Sequence, residues 1–169
     1  MPAVPPPTGS GPYRIALVCL GNICRSPMAH VVLGSALEAA GLADEVEVSS
    51  SGTGGWHVGG PMDERAAAVL LGAGYDGSAH RARQFDAGWL DHDLVLVMDE
   101  VNLRDVRALG GEPERVRLFR DFDPVDPGGE VPDPYYGGQD GFGEVLAMVE
   151  RTSAALVAAL RDALTGRGR

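Results

Sequence analysis

Lysine is absent from this 169-residue chain, and cysteine is scarce. All fourteen basic residues are arginine, which we read as a matter of overall composition and not of chemistry. The two cysteines, Cys19 and Cys24, lie in one short segment, so they do not form the disulfide framework of a small secreted protein. No histidine is close enough to them in sequence for a zinc finger. In a reducing compartment, such a pair is more often catalytic or redox-sensitive.

The chain also has no apolar run of membrane-spanning length, and its start, MPAVPPPTGSGP, lacks the features of a signal peptide. Acidic residues outnumber basic ones, and the formal net charge is −10. This charge argues against a general attraction to nucleic acid or to an anionic membrane. We therefore expect a cytoplasmic protein that binds neither nucleic acid nor membrane.

Hydrophobic residues make up 44% of the chain, which is enough for the core of one folded domain. Residues 1–12 are rich in proline, glycine and serine and are predicted to form a disordered leader. We place the domain at residues 13–165 and expect a frayed tail at residues 166–169. No internal repeat is visible.

Apolar runs alternate with amphipathic segments along the domain, which is typical of strands alternating with helices. Strands are predicted at residues 13–19, 46–51, 94–98 and 116–119. Helices are predicted at residues 26–40, 61–74, 100–109 and 144–164. The pattern indicates an α/β fold, a Rossmann-like open parallel sheet of about four strands with helices on both faces. Such sheets bind ligands beyond the carboxyl ends of their strands, and Cys19 ends the first strand.

The segment from Cys19 to Ser26 has the form C-x5-R-S and lies between the first strand and the first helix. Five intervening residues let backbone N–H groups surround a tetrahedral anion, and the helix dipole adds to the attraction. Gly21 allows a tight turn. Arg25 can offer two parallel donors to phosphate oxygens. The candidate phosphate-binding residues of the loop are Leu20, Gly21, Asn22, Ile23, Cys24 and Ser26.

A helix N-terminus and a neighbouring cation also favour a thiolate over a thiol. Cys19 is thus predicted to be a nucleophile that needs no partner base, with Arg25 beside it. Either cysteine alone would be interpreted as a small buried apolar residue. The complete strand–loop–helix string argues against that interpretation.

This segment resembles the phosphate-binding loop of a known family, the low-molecular-weight protein tyrosine phosphatases. The string VCLGNICRSPMA is similar to theirs almost letter for letter. The likeness extends through SSGTGGWHVG, PMDERA, HRARQF, VMDEVNLRDV and DPYYG, and so reaches from Tyr13 to the last helix. It implies a phosphatase whose partner is a tyrosine-phosphorylated protein. We expect no metal and no cofactor, because Arg25 and the loop amides supply the charge stabilisation.

A tyrosine leaving group needs a proton, so a carboxylic acid should face the nucleophile. Three aspartates precede prolines in one loop: Asp123, Asp126 and Asp133. Aspartate before proline is also common in turns, and the residue pattern alone does not choose among the three. Asp133 differs because Tyr135 and Tyr136 follow it, and an aromatic wall beside an acid suits a phenyl phosphate. The resemblance of DPYYG to the family's general-acid loop also points to Asp133.

Several further residues are expected to support the loop. The resemblance implies a network that joins Asn22 to Ser50 and His80; without it, His80 would be interpreted as an exposed or core histidine. Ser26 is predicted to cap the first helix and to donate a hydrogen bond to the sulfur of Cys19.

Asp99 follows the third strand and is predicted to orient Arg25, although an aspartate there could equally cap the next helix. The resemblance suggests that Cys24 pairs with Cys19 under oxidation and protects it, and a buried packing thiol is the alternative. Trp56 lies in a glycine-rich loop that is poor core sequence, although tryptophan is more often core than binding surface.

The substrate cleft is predicted to be walled by Trp56, Tyr135 and Tyr136, a slot that favours phosphotyrosine over phosphoserine. The hypothesis is a two-step displacement in which Cys19 attacks phosphorus and Asp133 serves first as acid and then as base. A thioredoxin-coupled arsenate reductase uses the same loop but needs a third thiol, which the chain lacks. A catalytically silent phosphotyrosine-binding module is the alternative outside enzymes. We expect a monomer.

Overall fold

The computed structural model describes residues 2–137 and 139–165. Its strands are β1 (Tyr13–Cys19), β2 (Val46–Gly52), β3 (Leu94–Val97) and β4 (Val116–Leu118). Its helices are α1 (Arg25–Ala39), α2 (Glu64–Gly72), α3 (Glu100–Arg107) and α4 (Gln139–Thr165). Short 3₁₀ turns lie at Ala87–Asp91, Pro113–Arg115 and Phe119–Phe122. No helix within the described ranges is long and apolar enough to cross a membrane.

The four strands form one parallel sheet in the order β2-β1-β3-β4, which confirms the predicted fold. The chain leaves β1 toward β2 on one side and later returns to β3 on the other. The strand order therefore reverses beside β1, which is where sheets of this class bind ligands. At that end of the sheet, Cys19 lies in register with Gly52.

Both faces of the sheet are covered, as the apolar strands predicted. Along β1, Ile15 and Leu17 are fully buried in a core cluster that also contains residues of α1, α2 and α4. The alternate residues Ala16 and Val18 belong to a second cluster that includes Val106 of α3. This alternation holds β1, and with it Cys19, in the centre of the molecule.

The helices differ from the prediction mainly at their first residues. α1 begins at Arg25, so Ser26 lies inside the first turn and does not cap the helix; no side chain caps it. α2 begins later than predicted because Asp63 is its cap and accepts a hydrogen bond from the Arg65 amide at 2.8 Å. α4 begins earlier, at Gln139.

The leader differs from the predicted disorder. Val4 and Pro5 are buried, and the Tyr13 hydroxyl donates a hydrogen bond to the Pro5 carbonyl oxygen at 2.8 Å. The amide and hydroxyl of Thr8 donate to one carboxylate oxygen of Asp93 at 2.7 and 2.8 Å. The leader's composition did not reveal these contacts, because Tyr13 belongs to β1 and Asp93 lies 85 residues beyond Thr8. Met1 and residues 166–169, the predicted frayed tail, lie outside the described residues.

Candidate active site

The loop between β1 and α1 turns its carbonyl oxygens outward. Those of Cys19, Leu20, Asn22 and Ile23 each accept a hydrogen bond from outside the loop. The donors, in the same order, are the amides of Thr53 (2.9 Å) and Gly54 (2.8 Å), the His80 ring (2.7 Å) and the amide of Asp63 (2.9 Å). In a trans peptide the next N–H points opposite to the carbonyl, so the amides of residues 20, 21, 23 and 24 face inward. Within the described ranges none of these amides has a protein acceptor, which leaves them free for an anion.

Asn22 fixes the shape of this loop. It is fully buried and has a φ of 58°, a left-handed conformation that asparagine tolerates better than most residues. Its side-chain NH₂ donates to the Ser26 hydroxyl at 2.8 Å, and its side-chain oxygen accepts from the Arg83 amide at 2.9 Å. The expected network is present in part: His80 contacts the Asn22 carbonyl, whereas Ser50 is bonded to neither and lies 3.3 Å from the ring of His30.

Cys19 lies at the base of the loop and is buried, with its sulfur 3.0 Å from the Ser26 hydroxyl oxygen. The Ser26 hydroxyl accepts a hydrogen bond from Asn22, and its own proton has two acceptors within reach. One is the Cys19 sulfur and the other is the Ser51 carbonyl oxygen at 3.3 Å. The structure thus brings Ser26 to the sulfur, as predicted, while the helix-cap role expected for it was wrong.

Arg25 is buried beneath the same loop and is held from two sides. One terminal nitrogen donates to Asp99 at 2.7 Å and to the Val131 carbonyl oxygen at 3.0 Å, and the other lies 3.6 Å from Asp133. Burial alone would lower the pKa of Arg25, but Cys19, Asp99 and Asp133 outweigh it and raise that pKa. Arg25 is therefore a permanent cation in contact with the anion-binding loop.

Asp99 makes both of the contacts considered from the sequence. One carboxylate oxygen accepts from Arg25, and the other accepts from the Asn102 amide at 2.8 Å and caps α3. The cap fixes the carboxylate, and the carboxylate in turn fixes the guanidinium of Arg25.

The three aspartates that precede prolines differ in burial and in their position relative to the cleft. Asp123 is fully buried and bonded to Arg120 and twice to Arg151, whose hydrogen bonds hold the pKa of Asp123 well below its usual range. Asp126 is exposed and lies 3.4 Å from Arg120. Asp133 alone of the three lines the cleft above Cys19 and is partly open to solvent.

The cleft above the loop has a volume of about 330 Å³. Its floor contains Cys19 and Arg25, and its walls include Trp56, Tyr135 and Tyr136. Trp56 is 72% exposed and Tyr136 is 92% exposed, so neither aromatic ring belongs to the core. Both rings therefore stand at the rim of the cleft, and their use as walls for a flat aryl group stays a prediction.

Cys24 is a poor candidate for a second nucleophile. Burial, with the nearby Asp63 and Cys19, raises the pKa of its thiol to about 12, so it stays protonated at neutral pH. Both cysteines are free thiols. The pairing of Cys24 with Cys19 under oxidation stays a prediction.

Sequence reasoning missed several residues of the site, among them Gly52, Arg65 and His30. Gly52 could have been found, because it ends β2 beside the end of β1 and so must lie against the loop. His57, which had no assigned role, also lines the cleft. His30 and Arg65 were missed because the partners that bring them to the site, Ser50 and Tyr135, are distant in sequence.

Gly52 is predicted to be essential to the loop. A Cβ atom there would lie 2.7 Å from the Leu20 carbonyl oxygen and 2.9 Å from the Asn22 amide nitrogen, and both are backbone atoms. Because Gly52→Ala must displace the loop, we expect kcat for an aryl phosphate to fall by about 10- to 100-fold. Gly34→Ala is the matched control: its Cβ meets nothing within 4 Å, and removing a helical glycine should raise the unfolding free energy by about 0.5–1 kcal/mol. Equal activity of the two variants would contradict the prediction.

The buried His30 is expected to lower the free energy of unfolding in acid. Burial, with the neighbouring His80 and Arg83, lowers the pKa of His30 to about 4 from an unfolded value of 6.5. The unfolded chain thus binds the proton more tightly, and stability falls as the pH drops through this window, by about 3 kcal/mol in total. Chemical denaturation at pH 7 and pH 4.5 should show a smaller loss for His30→Gln than for the wild type. An identical pH dependence in the two proteins would contradict it.

The chain is similar to known phosphatases in both sequence and structure. The model of the low molecular weight phosphotyrosine protein phosphatase family matches residues 14–165. A low molecular weight protein-tyrosine-phosphatase of Streptomyces coelicolor is 50% identical over 161 residues, covering 92% of this chain and 98% of that one. Low molecular weight protein-tyrosine phosphatase A of Mycobacterium tuberculosis is 47% identical over 143 residues, covering 83% and 87%. The crystal structure of YfkJ from Bacillus subtilis superposes with a TM-score of 0.84 at 32% identity, covering 92% of this chain and 98% of that one.

Proposed function

The chain belongs to the low molecular weight phosphotyrosine protein phosphatase family, and we propose that it hydrolyses phosphotyrosine through a phosphorylated Cys19. One observation carries the proposal: a buried cysteine, an anchored arginine and an aspartate meet in one cleft whose floor is a ring of inward-facing amides. Each of these groups matches a charge that develops during phosphoryl transfer.

In the first step the phosphoryl group binds in the loop, with its oxygens on the inward amides and on the guanidinium of Arg25. The Cys19 thiolate attacks phosphorus, so that the S–P bond forms as the P–O bond to tyrosine breaks. Asp133 gives its proton to the departing tyrosyl oxygen. The free tyrosine side chain leaves, and Cys19 holds the phosphoryl group.

In the second step Asp133, now ionised, takes a proton from a water molecule. The water oxygen attacks phosphorus, the S–P bond breaks, and inorganic phosphate and the Cys19 thiolate are released. Ser26 lies 3.0 Å from the sulfur and stabilises the thiolate as it leaves in this step. Asp133 recovers its proton, and the cycle closes with no redox change.

The walls of the cleft support tyrosine as the residue attacked. The exposed rings of Trp56 and Tyr136 rise beside the floor, together with Tyr135. A phosphotyrosine side chain is long enough to reach the sulfur from between these rings, whereas phosphoserine is shorter. We place the protein in the cytoplasm as a monomer that acts on tyrosine-phosphorylated proteins without a metal or another cofactor.

Steady-state hydrolysis tests this function. The wild type is assayed with EDTA present on one peptide phosphorylated on tyrosine and on the same peptide phosphorylated on serine in place of that tyrosine. The proposal expects phosphate release from the tyrosine peptide and at least about 100-fold less from the serine peptide. Tight binding of the tyrosine peptide with no release of phosphate would instead identify a silent binding module. Arsenate-dependent oxidation of thioredoxin would identify the reductase.

A further inference from the structure

The turn that begins α2 contacts both catalytic loops. The amide of Asp63 donates to the Ile23 carbonyl oxygen at 2.9 Å and so holds the phosphate-binding loop. The side chain of Arg65 reaches the other loop, where it donates to the Tyr135 carbonyl oxygen at 2.9 Å and to that of Gly137 at 3.4 Å. Two residues apart in sequence, Asp63 and Arg65 thus connect the loop of the nucleophile to the loop of the acid.

The two side chains are also locked to each other. The guanidinium of Arg65 donates twice to the Asp63 carboxylate, at 3.2 and 3.0 Å. The same guanidinium lies 4.7 Å from the ring centre of the buried Phe142 and 5.4 Å from that of Tyr135. An arginine held by a carboxylate, two carbonyls and two rings has little freedom to move.

Asp133 depends on this clamp through Tyr135. The Tyr135 amide donates to one carboxylate oxygen of Asp133 at 3.1 Å, while the Tyr135 carbonyl accepts from Arg65. Within the described part of the chain, the other partner of Asp133 is Arg25, at the long distance of 3.6 Å. The position of the acid is therefore set by the peptide units on either side of Tyr135, and Arg65 fixes one of them.

We propose that Arg65 is a positioning residue for the general acid: together with Asp63, it holds Asp133 in reach of the leaving oxygen bound above Cys19. This inference rests on the proposed function, and it assigns to Arg65 a role in one proton transfer and none in binding phosphate. Loss of Arg65 should then affect substrates according to how strongly their leaving group needs a proton.

The test compares kcat/KM for two aryl phosphates. Phenyl phosphate has a strongly basic leaving group that needs the acid, whereas p-nitrophenyl phosphate has a weakly basic one that does not. We expect Asp133→Asn to lose about 100-fold or more on phenyl phosphate and far less on p-nitrophenyl phosphate. Arg65→Ala should show the same selectivity with a smaller loss, about 10-fold on phenyl phosphate. Arg65→Lys should recover part of it.

Two controls separate positioning from a general loss of structure. Arg104→Ala removes a 74% exposed arginine whose ion pair is with its neighbour Asp105, and it should behave as the wild type. The double variant of Arg65→Ala with Asp133→Asn should be no slower on phenyl phosphate than Asp133→Asn alone, because Arg65 acts through that carboxyl. Arg65→Gln, which keeps a polar side chain, provides a second measurement if Arg65→Ala folds poorly.

Equal losses on both substrates, or additive losses in the double variant, would overturn the role of Arg65 while leaving the phosphatase intact. A wild type that hydrolyses neither substrate would overturn the proposed function, and the inference with it. A selective loss of Arg65→Ala on phenyl phosphate, with no further loss when it is added to Asp133→Asn, establishes the role.

Discussion

Cys19→Ser abolishes turnover of aryl phosphates, with an expected loss in kcat of about 10⁴-fold or more. The serine hydroxyl has the geometry of the thiol but is not ionised at neutral pH. Among the residues that the structure describes, no histidine or other base is bonded to Cys19 to activate it. Its hydrogen-bond partner is the hydroxyl of Ser26. The variant therefore lacks the sulfur nucleophile, and no other group takes its place.

Anion binding should survive the same change. The inward amides and Arg25 are untouched, and a neutral hydroxyl repels phosphate less than a thiolate does. Calorimetric titration of Cys19→Ser with a phosphotyrosine peptide should give a Kd equal to or below the wild-type KM. Cys24→Ser is the matched variant: its buried thiol is protonated, so turnover should be reduced without being abolished. A Cys19→Ser protein that retains wild-type turnover would contradict the proposed mechanism.

Arg25→Lys is expected to lower kcat by about 10²- to 10³-fold, the second largest effect. One terminal nitrogen of Arg25 is used by Asp99 and the Val131 carbonyl, which leaves the other N–H groups of the fork for phosphate. Lysine keeps the positive charge but donates from a single atom, so it cannot keep those two contacts and also give two parallel hydrogen bonds to phosphate. The change should also weaken phosphate binding, because the charge no longer stands at a fixed point below the loop.

The companion variant Asp99→Asn tests whether the anchoring of Arg25 matters. Asparagine keeps the oxygen that caps α3 and removes the charge opposite Arg25. We expect about a 10-fold loss in kcat, with a thermal midpoint near that of the wild type. Stopped assays with phosphotyrosine peptide measure both variants, and an Arg25→Lys enzyme within tenfold of wild type would contradict the bidentate role.

The sequence predicted the strand, loop and helix around Cys19 well because these parts are continuous in the chain. A strand, a tight loop and a helix follow one another from Tyr13 to Ala39. That order places the loop at the carboxyl end of β1, whereas the hydrogen bonds that turn its carbonyl oxygens outward come from other parts of the chain.

The sequence was weaker wherever a residue's partner lies far along the chain. Asp123 and Asp133 look alike as Asp-Pro turns, yet Arg151, 28 residues further along on α4, donates two hydrogen bonds to the buried carboxylate of Asp123. Ser50 was expected beside Asn22, yet its hydroxyl pairs with His30. The leader's composition resembled that of a disordered segment, although Asp93 holds Thr8. None of these contacts leaves a local pattern.

The start of α1 shows a different limit. Serine followed by proline is a common way to begin a helix, and it predicted Ser26 as the cap. The helix begins one residue earlier, because the loop already orders the chain at Arg25 and the Ser26 hydroxyl is engaged by Cys19 and Asn22. The contacts of the Ser26 hydroxyl with Cys19 and Asn22 thus replace the capping hydrogen bond that the local sequence predicted.

In the proposed mechanism the phosphoryl group passes through the sulfur of Cys19. Trapping the phosphoryl group on that sulfur is the most direct test. Asp133→Asn can still be phosphorylated by p-nitrophenyl phosphate, which needs no acid, but it lacks the base that activates water. The intermediate should therefore accumulate, and mass spectrometry of the rapidly denatured protein should find one phosphoryl group on Cys19. Release of phosphate at the wild-type rate with an unmodified Cys19, or a phosphoryl group on another residue, would contradict the account.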